Sequence, residues 1–210
     1  MRPDPYAHAP RLPEGDRLDL RTLLPDSPSE VELEIGPGRG WFMVERLSAV
    51  VGLGMVGFEI KRKWATVVDD RLRRRGLGDR GRVFAEDARS AMPRLCPGSV
   101  AAVHVNFPDP WWKKRHRKRL VLTPELVAEV ARVLKPRGEL FVQTDVAERA
   151  DAYEAVIDGS GRFVPCEAVA RVDDHPYQAR SPRERRAIED GIPVFRLRYR
   201  VTDEPRSVLV

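Results

Sequence analysis

A rigid acidic turn joined to a block of positive charge is the segment of this sequence best suited to chemistry. Asn106-Phe107-Pro108-Asp109-Pro110-Trp111 runs into Trp112 and then into residues 113–119, of which six of seven are Lys or Arg. Proline fixes its own φ and pushes the preceding residue towards extended geometry, so the flanking prolines hold Asp109 in place. A positioned acid, aromatic faces and phosphate-attracting charge suit an enzyme that acts on a nucleic-acid base. The alternative is a solvated basic loop after a strand.

Five acidic residues stand at or just beyond the ends of five predicted strands. These strands alternate with predicted helices, a pattern typical of an α/β fold whose mostly parallel sheet has helices on both faces. Ligands of such sheets bind beyond the carboxyl ends of the strands. The sequence therefore predicts one crevice that receives five carboxylates: Glu34, Glu59, Asp87, Asp109 and Asp145.

A glycine-rich turn, Gly36-Pro37-Gly38-Arg39-Gly40, follows the first strand. Glycine permits a tight turn and the close approach of a ligand. A dinucleotide fingerprint would need glycine where Trp41 stands, so the spacing favours a nucleoside-binding turn without a pyrophosphate. An acid at the end of the second strand, here Glu59, commonly accepts hydrogen bonds from ribose hydroxyls. A plain strand-to-helix turn is the alternative for the glycines.

Asp87, after the third strand, has two interpretations. Its carboxylate could accept a hydrogen bond from an exocyclic amine such as that of adenine. It could also cap a helix that begins at Ala88, and taken alone the cap is favoured.

The hydrophobic pattern predicts the elements that position these acids. We expect strands over residues 31–35, 51–58, 82–85, 100–105, 139–143 and 193–201. We expect helices over 41–49, around Trp64 to Leu72, over 124–134 with Thr123 as cap, and over 147–157, followed by a polar loop before the last strand. The second helix carries a basic face: Lys61, Arg71, Arg73, Arg74 and Arg75.

Length and composition bound the class of protein. A chain of 210 residues with 42% hydrophobic and 33% charged residues suits one globular domain. Residues 1–29 are rich in proline and arginine, which predicts an extended arm before a domain over residues 30–210. Cys96 and Cys166 lack metal-ligand spacing, so no metal is expected. Without a secretory signal or a long apolar stretch, the chain is expected in the cytoplasm.

With these motifs in view, the chain resembles the bacterial tRNA (guanine-N7-)-methyltransferases, which are class I S-adenosylmethionine-dependent methyltransferases. The Asn106–Trp111 turn with its basic extension is specific to that family, whereas the glycine-rich turn is shared by all class I methyltransferases. The resemblance implies a single-domain Rossmann-like fold with a mostly parallel seven-stranded sheet, and methylation of a variable-loop guanine of tRNA at N7. The residues that carry it are Glu34 to Gly40, Gly57 to Glu59, Asn106 to Trp111, Lys113 to His116 with Lys118 and Arg119, and Thr144 with Asp145.

The resemblance also implies roles for single residues. Asp109 would be the active-site acid, and S-adenosyl-L-methionine would be bound by Glu34, Gly36, Gly38, Gly40, Glu59, Asp87 and Asp109. The substrate would be contacted by Lys113, Asp145, Ser181 and Glu184. The last two belong to a late Thr-x-x-Glu motif that reads Ser181-Pro182-Arg183-Glu184 here. Arg183 replaces the usual aromatic residue of that motif, and Trp112 replaces the usual proline of the acidic turn.

The clustered positive charge is expected to bind the phosphate backbone of tRNA. The net charge is +5 and the pI about 9.5. The main phosphate contacts would be Lys114, Arg115, Arg117, Lys118 and Arg119, with a second patch at Arg180, Arg183, Arg185 and Arg186. Trp111 and Trp112 could stack on an unpaired base, although packing under the loop is favoured for each. The expected assembly is a monomer or a homodimer.

Two other classes of function compete with this interpretation. A non-catalytic RNA-binding protein on a methyltransferase-like fold would gain nothing from five carboxylates in the crevice. An NAD-dependent oxidoreductase is opposed by Trp41 and by the basic loop after the fourth strand.

Overall fold

The computed structural model describes residues 5–108 and 121–202, which form a seven-stranded sheet flanked by helices. The helices are α1 (Trp41–Ala49), α2 (Arg62–Arg74), α3 (Ala88–Ala91), α4 (Pro124–Val133), α5 (Ala147–Gly159) and α6 (Pro182–Glu189). The strands are β1 (Glu30–Ile35), β2 (Leu53–Phe58), β3 (Gly81–Phe84), β4 (Val100–Asn106), β5 (Leu134–Thr144), β6 (Phe163–Pro165) and β7 (Phe195–Val201). The six predicted strands and four predicted helices are all present, with shifted bounds for most. None of the helices in this part of the chain is long and apolar enough to span a membrane.

The sheet is mixed, which refines the expected mostly parallel arrangement. The strand order is β3-β2-β1-β4-β5-β7-β6, and the pairs among β1 to β5 are parallel. β7 is antiparallel to both of its neighbours, β5 and β6. The helix before β7 accounts for this: Glu184 of α6 contacts Gln143 near the carboxyl end of β5 and Arg196 near the start of β7, so β7 begins at that edge and runs back.

The two faces of the sheet differ in chemistry because successive side chains of a strand point to opposite sides. One face is apolar: Leu33, Val103, Leu140 and Leu197 share a buried cluster with residues of α3, α4 and α5. The other face carries polar side chains that are nonetheless buried. They are Glu32 and Glu34 of β1, His104 and Asn106 of β4, Gln143 of β5 and Arg196 of β7. A sheet face of this kind requires that each buried polar group find a partner.

The amino-terminal segment, expected as an extended arm, packs against the domain over the residues described, 5–29. Leu12, Leu20 and Leu24 are buried in the same cluster as the sheet. The Ala85 backbone N–H donates to the carbonyl of Pro10 at 2.7 Å, and residues Leu20–Leu23 form a short 3₁₀ helix. The segment therefore supplies part of the domain's core.

Helix α6 lies where the sequence predicted only a polar loop. The Ser181 hydroxyl accepts a hydrogen bond from the Glu184 backbone N–H at 3.2 Å, and Pro182 occupies the first helical position. Ser followed by Pro, with Glu three residues later, is a helix-start signal that would have found this helix.

We predict that Leu24→Ala lowers the free energy of unfolding by about 3 kcal/mol, because it opens a cavity in a packed core. Leu24 is 1% exposed. Val51→Ala is the control, since Val51 is 93% exposed and its loss should change stability by less than about 0.5 kcal/mol. Urea denaturation of both variants measures the difference, and equal midpoints would show that the segment contributes nothing to the core.

Candidate active site

Four of the five predicted acids lie in the described residues, and all four stand at the carboxyl ends of parallel strands. Glu34 is the penultimate residue of β1, Glu59 follows β2, Asp87 lies three residues beyond β3, and Asp145 follows β5. The fifth acid, Asp109, and the predicted contacts of the basic block lie outside the described residues. Those contacts are Lys113, Lys114, Arg115, Arg117, Lys118 and Arg119.

The glycine-rich turn is built on backbone conformations that favour glycine. Gly36, Gly38 and Gly40 have φ values of 70°, 54° and 68°. At Gly40 a Cβ would also lie 2.1 Å from Val68 Cγ1 of α2, so the turn and α2 are in close contact there. At Gly36 a Cβ would meet no atom within 4 Å, so this side of the turn is open to a ligand.

Glu59 fixes the shape of this turn. Its Oε2 accepts a hydrogen bond from the Gly38 N–H at 3.0 Å and its Oε1 accepts one from the Lys61 N–H at 2.9 Å. Burial raises the pKa of Glu59, although both backbone hydrogen bonds oppose this. The remaining lone pairs of the carboxylate could still accept hydroxyl groups of a sugar.

Glu34 is a buried carboxyl with one unsatisfied oxygen. Its Oε1 accepts a hydrogen bond from Asn106 Nδ2 at 2.8 Å, and its Oε2 has no partner in the described chain. Burial raises the pKa of Glu34 to about 8, the Asn106 hydrogen bond opposes the rise, and the charge of Glu59 adds to it. A cationic ligand group would stabilise the ionised form here. Glu34, Glu59 and the open glycine turn thus fit S-adenosylmethionine, which carries positive charge and ribose hydroxyls.

A hydrogen-bonded chain continues from Glu34 across the strand ends. Gln143 Nε2 donates to Asn106 Oδ1 at 2.9 Å and to Glu184 Oε2 at 3.4 Å. Glu184 Oε1 in turn accepts from Arg196 Nη2 at 2.8 Å. We call these five residues the edge chain; they join β1, β4, β5, β7 and α6. Asn106, Gln143 and Arg196 were not predicted as site residues. The period-2 spacing of Asn106 from His104 and of Arg196 from Arg198 was a usable signal, whereas Gln143 follows Phe141 at that spacing and gave none.

The predicted substrate residues differ in how deeply they are buried at the carboxyl edge of the sheet. Glu184 is fully buried and its carboxylate holds α6 on the sheet through Arg196, while the Ser181 hydroxyl caps α6. Asp145 is partly exposed and pairs with Arg183, whose Nη2 is 2.7 Å and 2.9 Å from the two carboxylate oxygens. The Arg183 guanidinium also lies 5.0 Å from the centroid of the Phe107 ring. Arg183, the departure from the family pattern, is thus the residue that fixes Asp145.

Asp87 caps α3, as its local sequence indicated. Its Oδ1 accepts from the Arg89 backbone N–H at 3.0 Å, and its Oδ2 lies 2.6 Å from Arg89 Nη2. The hydrogen bond with the Arg89 side chain is the main cause that lowers the pKa of Asp87.

The predicted second phosphate patch on α6 is largely neutralised. Arg183 pairs with Asp145, Arg185 pairs with Glu45 with Nη1–Oε1 at 2.6 Å, and Arg180 Nε lies 3.7 Å from Glu184 Oε1. Sequence could not show this, because Glu45 is 140 residues from Arg185 along the chain. Arg186 is exposed.

Comparison with protein families assigns residues 28–197 to a model described as "Putative methyltransferase". A tRNA (guanine-N(7)-)-methyltransferase of Myxococcus xanthus is 35% identical over 199 residues, covering 90% of this chain and 96% of that protein. One of the same name from Anaeromyxobacter dehalogenans is 39% identical over 203 residues, covering 88% of this chain and 96% of that protein.

Solved structures of methyltransferases share the fold at low identity. The 16S rRNA methyltransferase KamB superposes with a TM-score of 0.63 at 17% identity, covering 92% of this chain and 97% of its own. The geranyl diphosphate C-methyltransferase of Streptomyces coelicolor, solved with S-adenosyl-L-homocysteine, gives 0.56 at 17% identity, covering 84% and 73%. The seven-stranded arrangement described above is therefore the class I methyltransferase fold.

We predict that Glu34→Gln changes how stability depends on pH. Since the pKa of about 8 in the folded protein exceeds the ordinary value of 4.5, the folded state holds more protons than the unfolded chain between these values. The free energy of unfolding of the wild type should therefore fall, relative to Glu34→Gln, by about 1.4 kcal/mol per pH unit as the pH rises through this window.

Denaturation of the ligand-free protein between pH 5 and pH 8.5 measures this difference. The exposed Glu148→Gln variant is the control and should keep the wild-type slope. Parallel curves for the wild type and Glu34→Gln would show that Glu34 is ionised throughout.

Proposed function

We propose that this chain, which belongs to the tRNA (guanine-N7-)-methyltransferase family, methylates N7 of a variable-loop guanine in tRNA and so forms 7-methylguanosine. The observation that carries the proposal is the open glycine turn between Glu34 and Glu59, two buried carboxylates suited to a cationic nucleoside cofactor. S-adenosyl-L-methionine, when bound, supplies the methyl group.

The residues at the carboxyl edge of the sheet are assigned different contacts with the cofactor. Glu34 offers its unpaired oxygen to a cationic group, and Glu59 offers its remaining lone pairs to ribose hydroxyls while it fixes the turn. Gly36, Gly38 and Gly40 leave the backbone accessible. Asp87, held at the end of β3 by its capping bonds, is the proposed acceptor for an exocyclic amine of the base.

The substrate atom needs little activation. Guanine N7 carries a free lone pair and requires no deprotonation before it attacks a methyl group. Alignment of the reacting atoms therefore contributes much of the acceleration. Positive charge develops on the purine ring, and a fixed carboxylate nearby stabilises this charge without taking a proton. We assign that role to Asp109.

Recognition of guanine is assigned to Asp145, the partly exposed carboxylate that follows β5. A carboxylate accepts hydrogen bonds from the N1–H and amino group of guanine, whereas adenine has no N1–H. Asp145, positioned by Arg183, is the proposed acceptor, together with Lys113 as a further substrate contact. Since Glu184 is fully buried and Ser181 caps α6, these two residues support the substrate site by holding α6.

The wider assignments follow from a tRNA substrate. The phosphate backbone is held by the basic block, Lys114, Arg115, Arg117, Lys118 and Arg119. The protein acts in the cytoplasm as a monomer or a homodimer, with residues 30–210 as the catalytic domain and the described part of the preceding segment, residues 5–29, packed against it.

The proposal is tested by incubating the protein with labelled S-adenosylmethionine and unmodified tRNA, followed by nucleoside analysis. We expect label in 7-methylguanosine. Binding of tRNA without transfer would favour the non-catalytic RNA-binding alternative, and label in another nucleoside would overturn the assignment of N7.

We predict that Asp109→Asn lowers kcat by about 100-fold, because one fixed electrostatic contact to the developing charge is lost. Affinity for tRNA should stay within twofold. Glu125→Gln, an exposed carboxylate of α4, is the control and should retain full turnover. Full turnover by Asp109→Asn would remove Asp109 from the reaction.

We predict that Asp145→Asn and Arg183→Met each raise the KM for tRNA by about tenfold, the effect of losing a charge-assisted hydrogen bond. Because Arg183 acts through Asp145, the double variant should resemble Asp145→Asn alone. Arg185→Met, which breaks the ion pair of α6 with Glu45, is the matched control and should change KM less than twofold. Additive effects of the two substitutions would show that Arg183 acts independently of Asp145.

A further inference from the structure

A group of basic residues on α2 lies beside the glycine-rich turn and has no role in the methyl transfer proposed above. Lys63, Arg71, Arg74 and Arg75 come from α2 and its carboxyl-terminal cap, and Arg39 comes from the turn itself. We call these five residues the α2 basic face.

The charges of the α2 basic face are not paired with carboxylates in the part of the chain that the structure describes. Across the described residues, no ion pair joins any of its five members to an acid. Arg73, on the same helix, differs: its Nη2 lies 3.0 Å from Asp69, which Arg82 also approaches to 2.9 Å. Asp70, one turn before Arg74, makes no ion pair in this part of the structure. The positive charge of the face is therefore available to an outside partner, unlike that of α6.

The crowding of these charges is unfavourable for the protein alone. Burial lowers the pKa of Arg71, and the charges of Arg75, Arg74 and Arg39 lower it further. Like charges held together in this way repel one another, and a bound polyanion would relieve the repulsion.

Two tryptophans hold four of the five basic groups in place. The guanidinium groups of Arg71 and Arg75 lie 4.7 Å and 5.2 Å from the centroid of the Trp41 ring. Arg39 and Lys63 lie 5.4 Å and 5.5 Å from that of Trp64. Cation–π contacts of this kind fix the orientation of a guanidinium group and leave its N–H groups free to donate to phosphate oxygens.

The α2 basic face starts at the glycine-rich turn of the candidate active site and extends along α2. Arg71 donates a hydrogen bond to the carbonyl of Arg39 inside the glycine-rich turn. From Lys63 to Arg75 the helix rises by about 18 Å, at about 1.5 Å per residue. A long anionic chain with one base in the active site could follow this path.

We propose that the α2 basic face binds the phosphate backbone of tRNA, as a docking surface separate from the basic block after β4. This rests on the proposed function, because it takes the substrate to be an RNA whose target base enters the neighbouring site. An RNA is favoured over an anionic membrane because three of the five groups are guanidinium groups stacked on half-buried indoles, which suit directed hydrogen bonds to a phosphate backbone.

The test compares two double variants that each remove two positive charges. Arg74→Gln with Arg75→Gln changes the face, and Arg162→Gln with Arg200→Gln changes exposed arginines near β6 and β7. The first should raise the Kd for tRNA about tenfold and lower the slope of log Kd against log salt by about 1.5, as expected for two lost phosphate contacts. The second should change Kd less than twofold.

Further measurements separate this inference from the proposed function. The face variant should bind S-adenosylmethionine like the wild type and reach the wild-type kcat at saturating tRNA. Equal tRNA affinity in both double variants would overturn the docking surface while leaving methyl transfer intact. If the wild type binds tRNA but forms no 7-methylguanosine, the proposed methyl transfer is overturned. The comparison of tRNA affinity between the two double variants would still test the docking surface.

Two controls complete the design. If the double variant proves unstable, the single variant Arg74→Glu replaces it, because it leaves both tryptophan contacts in place. It should weaken tRNA binding, and unchanged affinity would again overturn the docking surface. Vesicles containing anionic lipid are the competing partner: loss of vesicle binding by the face variant, with tRNA affinity unchanged, would assign the face to a membrane and refute the proposal.

Discussion

The arrangement of the site depends on keeping charge buried along one face of the sheet. The edge chain does this by joining two carboxylates through two amide side chains: Asn106 bonds to Glu34, and Gln143 bonds to both Asn106 and Glu184. Arg196 supplies the one full positive charge among the five residues of the edge chain. Since an unpaired buried polar group is costly, each member fixes the rotamer of the next. The Glu34 end and the Glu184 end of the edge chain are therefore held in a fixed relative position, although they belong to segments far apart in sequence.

Glu34 ends the edge chain with an unsatisfied oxygen, which we relate to the proposed binding of a cationic cofactor. A structural carboxylate on this sheet face finds a cation: Glu32, two residues earlier, is bound by His104 at 2.8 Å and by Arg46 at 2.7 Å. Burial would raise the pKa of Glu32, yet these two partners hold it at about 2. The two glutamates of one strand thus have opposite electrostatics, and the protein leaves uncompensated only the one beside the open turn.

Much of the fold could be predicted because strand and helix periodicity is local. Alternation predicted β1, apolar runs predicted β2 and β4, and the ends of parallel strands placed Glu34, Glu59, Asp87 and Asp145 at one edge. The reversed direction of β7 could not be predicted, since it depends on where α6 docks. The pairing of Arg183 with Asp145 and of Arg185 with Glu45 was also hidden, because ion pairs between distant segments leave no pattern in the sequence. The cap at Asp87 could be read directly, because capping joins near neighbours.

The burial of the amino-terminal segment has a consequence for how the chain folds. Leu12 and Leu20, which precede β1, share one apolar cluster with Leu197 and Tyr199 of β7. Contacts of such high sequence separation close the largest loops and form slowly. The core cannot be complete until β7 has been synthesised, so a nascent chain lacking β7 would leave the hydrogen-bonding edge of β5 unpaired and prone to aggregation.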